Sequence, residues 1–204
     1  MAVITISRHF GAGGWTLGER LAKRFKYRCI HEGMITEVAA KAKVSSGQIR
    51  ALEEIGADKL MRFLKKLVKT SYVERLTSDK YGFVDEKIYV DTVRNIIQEL
   101  YEQGNVIIIG RGSQYILKGF VNTFHMMFVG ELPDRIRFVM NKYQLSESEA
   151  EKGIKKRDQT RTRFLNFFSE SESHDDPLLY DLVLNMSRIS MEKAEQIVED
   201  LVFK

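Results

Sequence analysis

Residues 2–25 read AVITISRHFGAGGWTLGERLAKRF, and their reading decides the fold. A short apolar run, Val3 to Ile6, predicts a strand, and Leu17, Leu21, Ala22 and Phe25 fall on one face of a predicted helix. Between them lies a turn carrying Gly11, Ala12, Gly13 and Gly14. Glycine there lets the backbone take a positive φ and lets a ligand come close. The first helical turn adds unpaired N–H groups and the positive end of the helix dipole. Strand, glycine turn and helix in that order predict a phosphate cradle.

Working outward, strands and helices alternate. Tyr27–His31 reads as a second strand, and helical spacing then runs through Met34–Val44, through GQIRALEEIGA and through DKLMRFLKKLVKTSYVERL. The face bearing Arg62, Lys65, Lys66 and Lys69 is read as a solvated helix surface, with a nucleic-acid or membrane patch as the other reading. From Asp85, the spacing of Val90, Val93, Ile96, Ile97 and Leu100 and the closing Gly104 predict a well-terminated helix. It leads into Val106–Ile109, a β-branched run suited to the middle of a parallel sheet covered on both faces. Gly110, Arg111 and Gly112 follow at once, placing a cation at the strand's carboxyl end, where open parallel sheets bind ligands.

Further strands are expected at His125–Val129 and Asp181–Asn185, with Pro133 opening one helix and a capping box, Ser146 to Glu149, opening another. That second helix carries Arg157, Asp158, Arg161 and Arg163, and FLNFFSESESHDD after it has the character of an ordered but mobile loop. A last helix begins near Met191. The whole predicts an α/β protein with a five-stranded parallel sheet in one domain.

Composition agrees with a globular chain: 204 residues, 44% hydrophobic and 29% charged, with a formal net charge of +4. No apolar run approaches the roughly 20 residues that span a bilayer, and no basic segment precedes a long apolar one, so the chain is read as cytoplasmic. Cys29 stands alone and reads as a small buried residue rather than a reactive thiol; the four histidines lack the close spacing of a metal site.

These stretches resemble the cytidylate kinase-like family, P-loop proteins related to the nucleoside monophosphate kinases. ISRHFGAGG is similar to that family's glycine-rich turn, and GFVDEKIYVDTVRNIIQEL with GNVIIIGRGSQYIL resembles its central helix and strand. RDQTR, residues 157–161, resembles the R-D-x-x-R of the lid in bacterial cytidylate kinases, and DDPLLYDLVLNMSRISMEKA resembles the closing strand and helix.

The resemblance implies a doubly wound core of about residues 1–32 and 105–204, a helical insertion over about 33–104 that covers the acceptor nucleotide, and a lid over about 153–175. It implies ATP as phosphoryl donor, with magnesium carried on its phosphates, and CMP or a related small acceptor. Arg8, Gly11, Ala12, Gly13, Gly14 and Thr16 would then lie along the donor phosphates. Arg111, with His31 and Arg163, would hold the acceptor, and Arg157 and Arg161 would neutralise the transferring group. With no recognised nucleic-acid motif and no spanning apolar run in the sequence, no nucleic-acid or membrane partner is expected, and the oligomeric state is left open.

The chain departs from the P-loop pattern G-x-x-x-x-G-K-[ST]. Aligned on Gly13, Arg8 stands at the first glycine, Gly14 at the lysine and Trp15 at the hydroxyl, with Thr16 one place late. Ile109 stands where cytidylate kinases carry an acidic residue, and His31 where they carry an aspartate. Trp15 is read as a packing residue, with stacking on a base as the alternative. The departures motivate a second reading: a nucleotide or phosphoanion sensor that keeps the fold without the catalysis.

Overall fold

Four consecutive β-branched side chains, Val106 to Ile109, have no exposed surface at all. Burying each contributes roughly 1.5–3 kcal/mol, which makes this strand the centre of the fold. The computed structural model describes residues 1–35, 86–169 and 173–204. The helices expected between residues 36 and 85 lie outside the described residues.

The strands are β1 (Val3–Arg8), β2 (Arg28–His31), β3 (Val106–Ile109), β4 (Thr123–Val129) and β5 (Leu182–Asn185). They form one parallel sheet in the order β2-β3-β1-β4-β5. The helices are α1 (Gly14–Phe25), α2 (Glu86–Gln103), α3 (Ser113–Ile116), α4 (Leu132–Tyr143), α5 (Glu147–Leu165) and α6 (Met191–Phe203).

Both faces of the sheet are covered, and alternate residues of β3 serve each. Ile107 and Ile109 pack with Leu17 and Leu21 of α1 and Ala194 and Val198 of α6. Val106 and Ile108 pack with Val93, Ile96, Ile97 and Leu100 of α2 and Ile116 of α3. This explains why the run is apolar throughout rather than alternating. Arg20 and Arg24 of α1 pair with Glu192, Glu195 and Glu199 of α6 across the exposed edge of the first layer.

Several boundaries differ from the sequence reading; β4, for one, begins at Thr123 rather than His125. β1 runs two residues past Ile6, because Ser7 and Arg8 keep their register with Met127 and Phe128 of β4. The segment expected to be a mobile loop begins inside α5, which continues to Leu165. Beyond it Phe168 packs against the α2 layer, and His174 is buried between Tyr115 and Asn166, bonded to each at 2.7 Å. The expected capping box is present at the start of α5: the Glu149 carboxylate accepts from the Ser146 N–H at 2.9 Å, and the Glu149 N–H donates to the Ser146 hydroxyl.

The order of strands sets the site. From β1 the chain first moves outward to β2, then returns to β3 and crosses to β4 on the other side. The crevice opens where that direction reverses, outside the carboxyl ends of β1 and β3. There the Gly110 N–H, just past the end of β3, donates to the Ile6 carbonyl within β1 at 2.9 Å.

Candidate functional site

The turn between β1 and α1 is built for close approach. Gly11 (φ 87°) and Gly13 (φ 77°) both lie in the left-handed region, and Gly13 is the N-cap of α1 with no side chain capping it. A Cβ at Gly11 would sit 3.0 Å from the Arg135 carbonyl oxygen, so a side chain there would push into α4. An uncapped helix N-terminus behind a glycine turn presents donors and positive potential to an anion.

Two side chains from the α4–α5 pair clamp the turn. Asp158 accepts from the Phe10 N–H at 3.0 Å and pairs with Arg135, which donates through Nε to the Phe10 carbonyl at 2.8 Å. Thr16 Oγ1 lies 3.2 Å from Lys142 Nζ. Trp15 stacks on His31, ring centroids 4.1 Å apart at 30°. The packing reading of Trp15 therefore has a definite partner.

The second turn is unusual in its backbone. Gly110, Arg111 and Gly112 have φ of 83°, 57° and 69°, three left-handed residues in succession, of which Arg111 alone bears a side chain. Such a conformation is costly for a non-glycine residue and concentrates at functional sites. The Arg111 guanidinium lies over the Phe164 ring at 4.8 Å, and among the described residues its buried Nε–H has no acceptor.

Helix α5 supplies the rest. Arg157 and Arg161 are four residues apart and share one helix face. Arg157 lies over Phe10 at 5.8 Å. Arg161 is tied more firmly, donating to Ser7 Oγ at 2.9 Å and to the His174 carbonyl at 3.3 Å, and pairing with Asp175 at 2.7 Å.

Four guanidinium groups thus line one cavity: Arg8, Arg111, Arg157 and Arg161, with Glu32 and Gln114 among its walls. Arg8 pairs with Glu32 at 2.7 Å. Burial by itself pushes the Glu32 carboxyl up, but the charges of Arg8, Arg111 and Arg157 outweigh it and hold the pKa at about 2. Glu32 is therefore an anion at every working pH, and the cavity keeps an excess of positive charge around it. A second cavity of about 250 Å³ opens on the other side of Gly11–Gly13, lined by Gly130, Arg135, Ser187 and Met191.

Of the site residues expected from sequence, Arg8, Arg111, Arg157 and Arg161 come together, and Gly11, Gly13, Gly14 and Thr16 border the adjoining groove. Ala12 is buried beneath the turn, its N–H closing on the His9 carbonyl. His31 lies beside the site through Trp15. Arg163 is exposed and does not line the cavity. Sequence reasoning passed over Glu32, although a carboxylate directly after a strand in this topology is itself a signal.

Parallel strands in this order, a glycine turn after the first and cations gathered at the switch point define a P-loop kinase fold. The chain belongs to the cytidylate kinase-like family, whose profile matches residues 3–188. It is 28% identical over 200 residues to a cytidylate kinase of Pyrococcus horikoshii, covering 97% of this chain and 86% of that one. Among solved structures it is similar to an uncharacterized protein from Eubacterium ventriosum (TM-score 0.71, 19% identity, 99% and 98% of the two chains). It is also similar to a shikimate kinase from Bacteroides thetaiotaomicron (TM-score 0.51, 14% identity, 98% of each chain). These two likenesses concern the fold.

Proposed function

We propose that the protein is a nucleotide kinase that moves a phosphoryl group from ATP to CMP or a related small acceptor. The observation that carries this reading is the convergence of Arg8, Arg111, Arg157 and Arg161 on one cavity beside the glycine turn. Phosphoryl transfer asks mainly for positioning and for neutralisation of charge spread over phosphate oxygens. Arginine suits that task because its planar fork binds phosphate in a bidentate way.

In this reading the donor phosphates lie along Gly11 to Thr16, and the 250 Å³ cavity beyond Gly13 takes the donor base. Arg111, with its buried Nε–H directed to no described acceptor, holds the acceptor's phosphate. Arg157 and Arg161 neutralise the group in transit. Residues 33–104 and 153–175 would serve as acceptor-covering insertion and lid, with the arginines of α5 as the moving part.

The residues present fit a triphosphate better than a protein-held magnesium ion. Trp15, at the hydroxyl position, is stacked on His31, and Ile109 is completely buried and apolar. Among the described residues no cluster of His, Cys, Asp or Glu could hold a metal. In this reading magnesium is carried on the donor nucleotide's phosphates, and the chain's own contribution is guanidinium charge.

ADP formation measured across nucleoside monophosphates tests the assignment, with acceptor-dependent turnover expected and CMP the leading acceptor. Nucleotide bound without turnover on any acceptor would instead support the sensor reading, which Trp15 and Ile109 favour.

A further inference from the structure

Position by position, this turn exchanges two residues of the P-loop pattern. Where the pattern opens on glycine the chain has Arg8, and where the pattern places lysine the chain has Gly14. In the tertiary structure the two positions face one space. A Cβ at residue 14 would lie 2.9 Å from Arg8 Cβ and 3.1 Å from Arg8 Cγ. The space admits one side chain, rooted either on the end of β1 or on the start of α1.

Arg8 fills that space and continues across the crevice. A Cβ at Gly110 would run into its Nη1, and its Nη2 ends on Glu32 at 2.7 Å. Arg8 borders both the groove of Gly11, Gly13, Gly14 and Thr16 and the cavity of Arg111, Arg157 and Arg161. It therefore stands between the places of donor and acceptor. Lys142, the other long cation of that groove, is exposed; its Nζ lies on Thr16 Oγ1 at 3.2 Å and over the rings of Phe138 and Tyr143, and it does not reach the cavity of Arg111, Arg157 and Arg161.

We infer that Arg8 takes the part of the missing P-loop lysine, delivered from the end of β1, and that Glu32 is the counter-ion which its guanidinium exchanges for the incoming phosphate. The inference rests on the nucleotide-binding reading above and names the residue on which binding and transfer depend. Glu32 suits its part because it stays ionised under all working conditions, held there by Arg8, Arg111 and Arg157 against the opposing effect of burial.

Calorimetry with ATP and ADP, together with the ADP-formation assay, tests it on five variants whose folding is followed by circular dichroism. Arg8→Gln keeps most of the stem without the charge; it should lower kcat/KM about 100- to 1000-fold and weaken ATP binding at least about tenfold. Arg8→Lys puts at this place the charge that a P-loop lysine supplies and should stay within about tenfold of wild type in affinity. Gly14→Lys alone drives a stem into Arg8 and should impair binding, whereas Arg8→Gly with Gly14→Lys, which restores the glycine-first order, should recover it to within about tenfold. Glu32→Gln removes the competing anion and should tighten ATP binding about three- to tenfold.

Wild-type protein that binds no nucleotide overturns the nucleotide reading and this inference together. Wild type that binds, matched by Arg8→Gln, overturns this inference alone. Failure of the double exchange to improve on Gly14→Lys overturns the shared-space argument, and unchanged or weaker binding by Glu32→Gln overturns the role of the counter-ion.

Discussion

Glu32 is a single carboxylate among guanidinium groups, and its chemistry can be read at equilibrium without any substrate. Its pKa is held at about 2 against an ordinary 4.5. A depressed folded-state pKa means that the stabilising contribution is complete above the unfolded value and is lost as pH falls through the folded one. Between about pH 4.5 and 2, wild type should lose more stability than Glu32→Gln, as read from urea midpoints at several pH values. An identical gap between the two proteins at neutral pH and near pH 2.5 would sink the idea. Asp175 titrates in the same window: burial raises its pKa, but the hydrogen bond with His9 and the charge of Arg161 bring it to about 2. The experiment must therefore compare the variant with wild type rather than read the acid limb alone. Cys29 shows the opposite case, a thiol pushed up to about 12 by burial and then by the nearby Glu19 charge. The residue packs against the α1 layer but is half-buried, not fully buried as its sequence setting suggests.

At the scale of elements, α5 is the helix that connects packing to chemistry. Its buried Ala150 and Ile154 meet Val139 of α4, while the next turns direct Asp158 to the glycine turn and Arg157 and Arg161 to the cavity. Asp158 is the hinge of this arrangement, since it accepts from the Phe10 N–H and balances the buried Arg135. Asp158→Asn should cost about 1–3 kcal/mol in stability, measured by chemical denaturation, because a charged acceptor is lost beside a buried guanidinium. It should also weaken ATP binding, since the turn loses one of its two clamps. A variant with wild-type stability and affinity would show that the clamp is incidental. The arginines of α5 were legible as residue types at helical spacing. Their partners Ser7, His174 and Asp175 were not, because those contacts join positions up to 154 residues apart in the chain.

For the whole molecule, apolar layers cover the two faces of a five-stranded sheet, a third buried cluster joins α4 to α5, and the site lies at the switch point. Binding to that site should stabilise the fold by mass action. A ligand at about 100 times its Kd contributes about 2.7 kcal/mol, which for a chain of this size raises Tm by roughly 5–10 °C. Thermal unfolding with ATP, ADP and CMP should show such a shift for the donor nucleotides and help to rank acceptors. No shift at millimolar nucleotide would argue against any nucleotide site.

Local rules determined much of this. Val106–Ile109, the Ser146 to Glu149 capping box and the strand-glycine-helix order of the first residues depend on neighbours a few positions apart, and periodicity reports such neighbours directly. The likeness of several short stretches to one family added the sheet type and the expected ligands. What only the tertiary structure decided is which side chains share a volume. Gly14 looked like a missing lysine until its packing against Arg8 showed the space already taken, and Glu32 looked unremarkable until Arg8, Arg111 and Arg157 closed around it. Steric exclusion and Coulomb interaction act through space, so residues distant in the chain come to limit one another only once the sheet has brought them together.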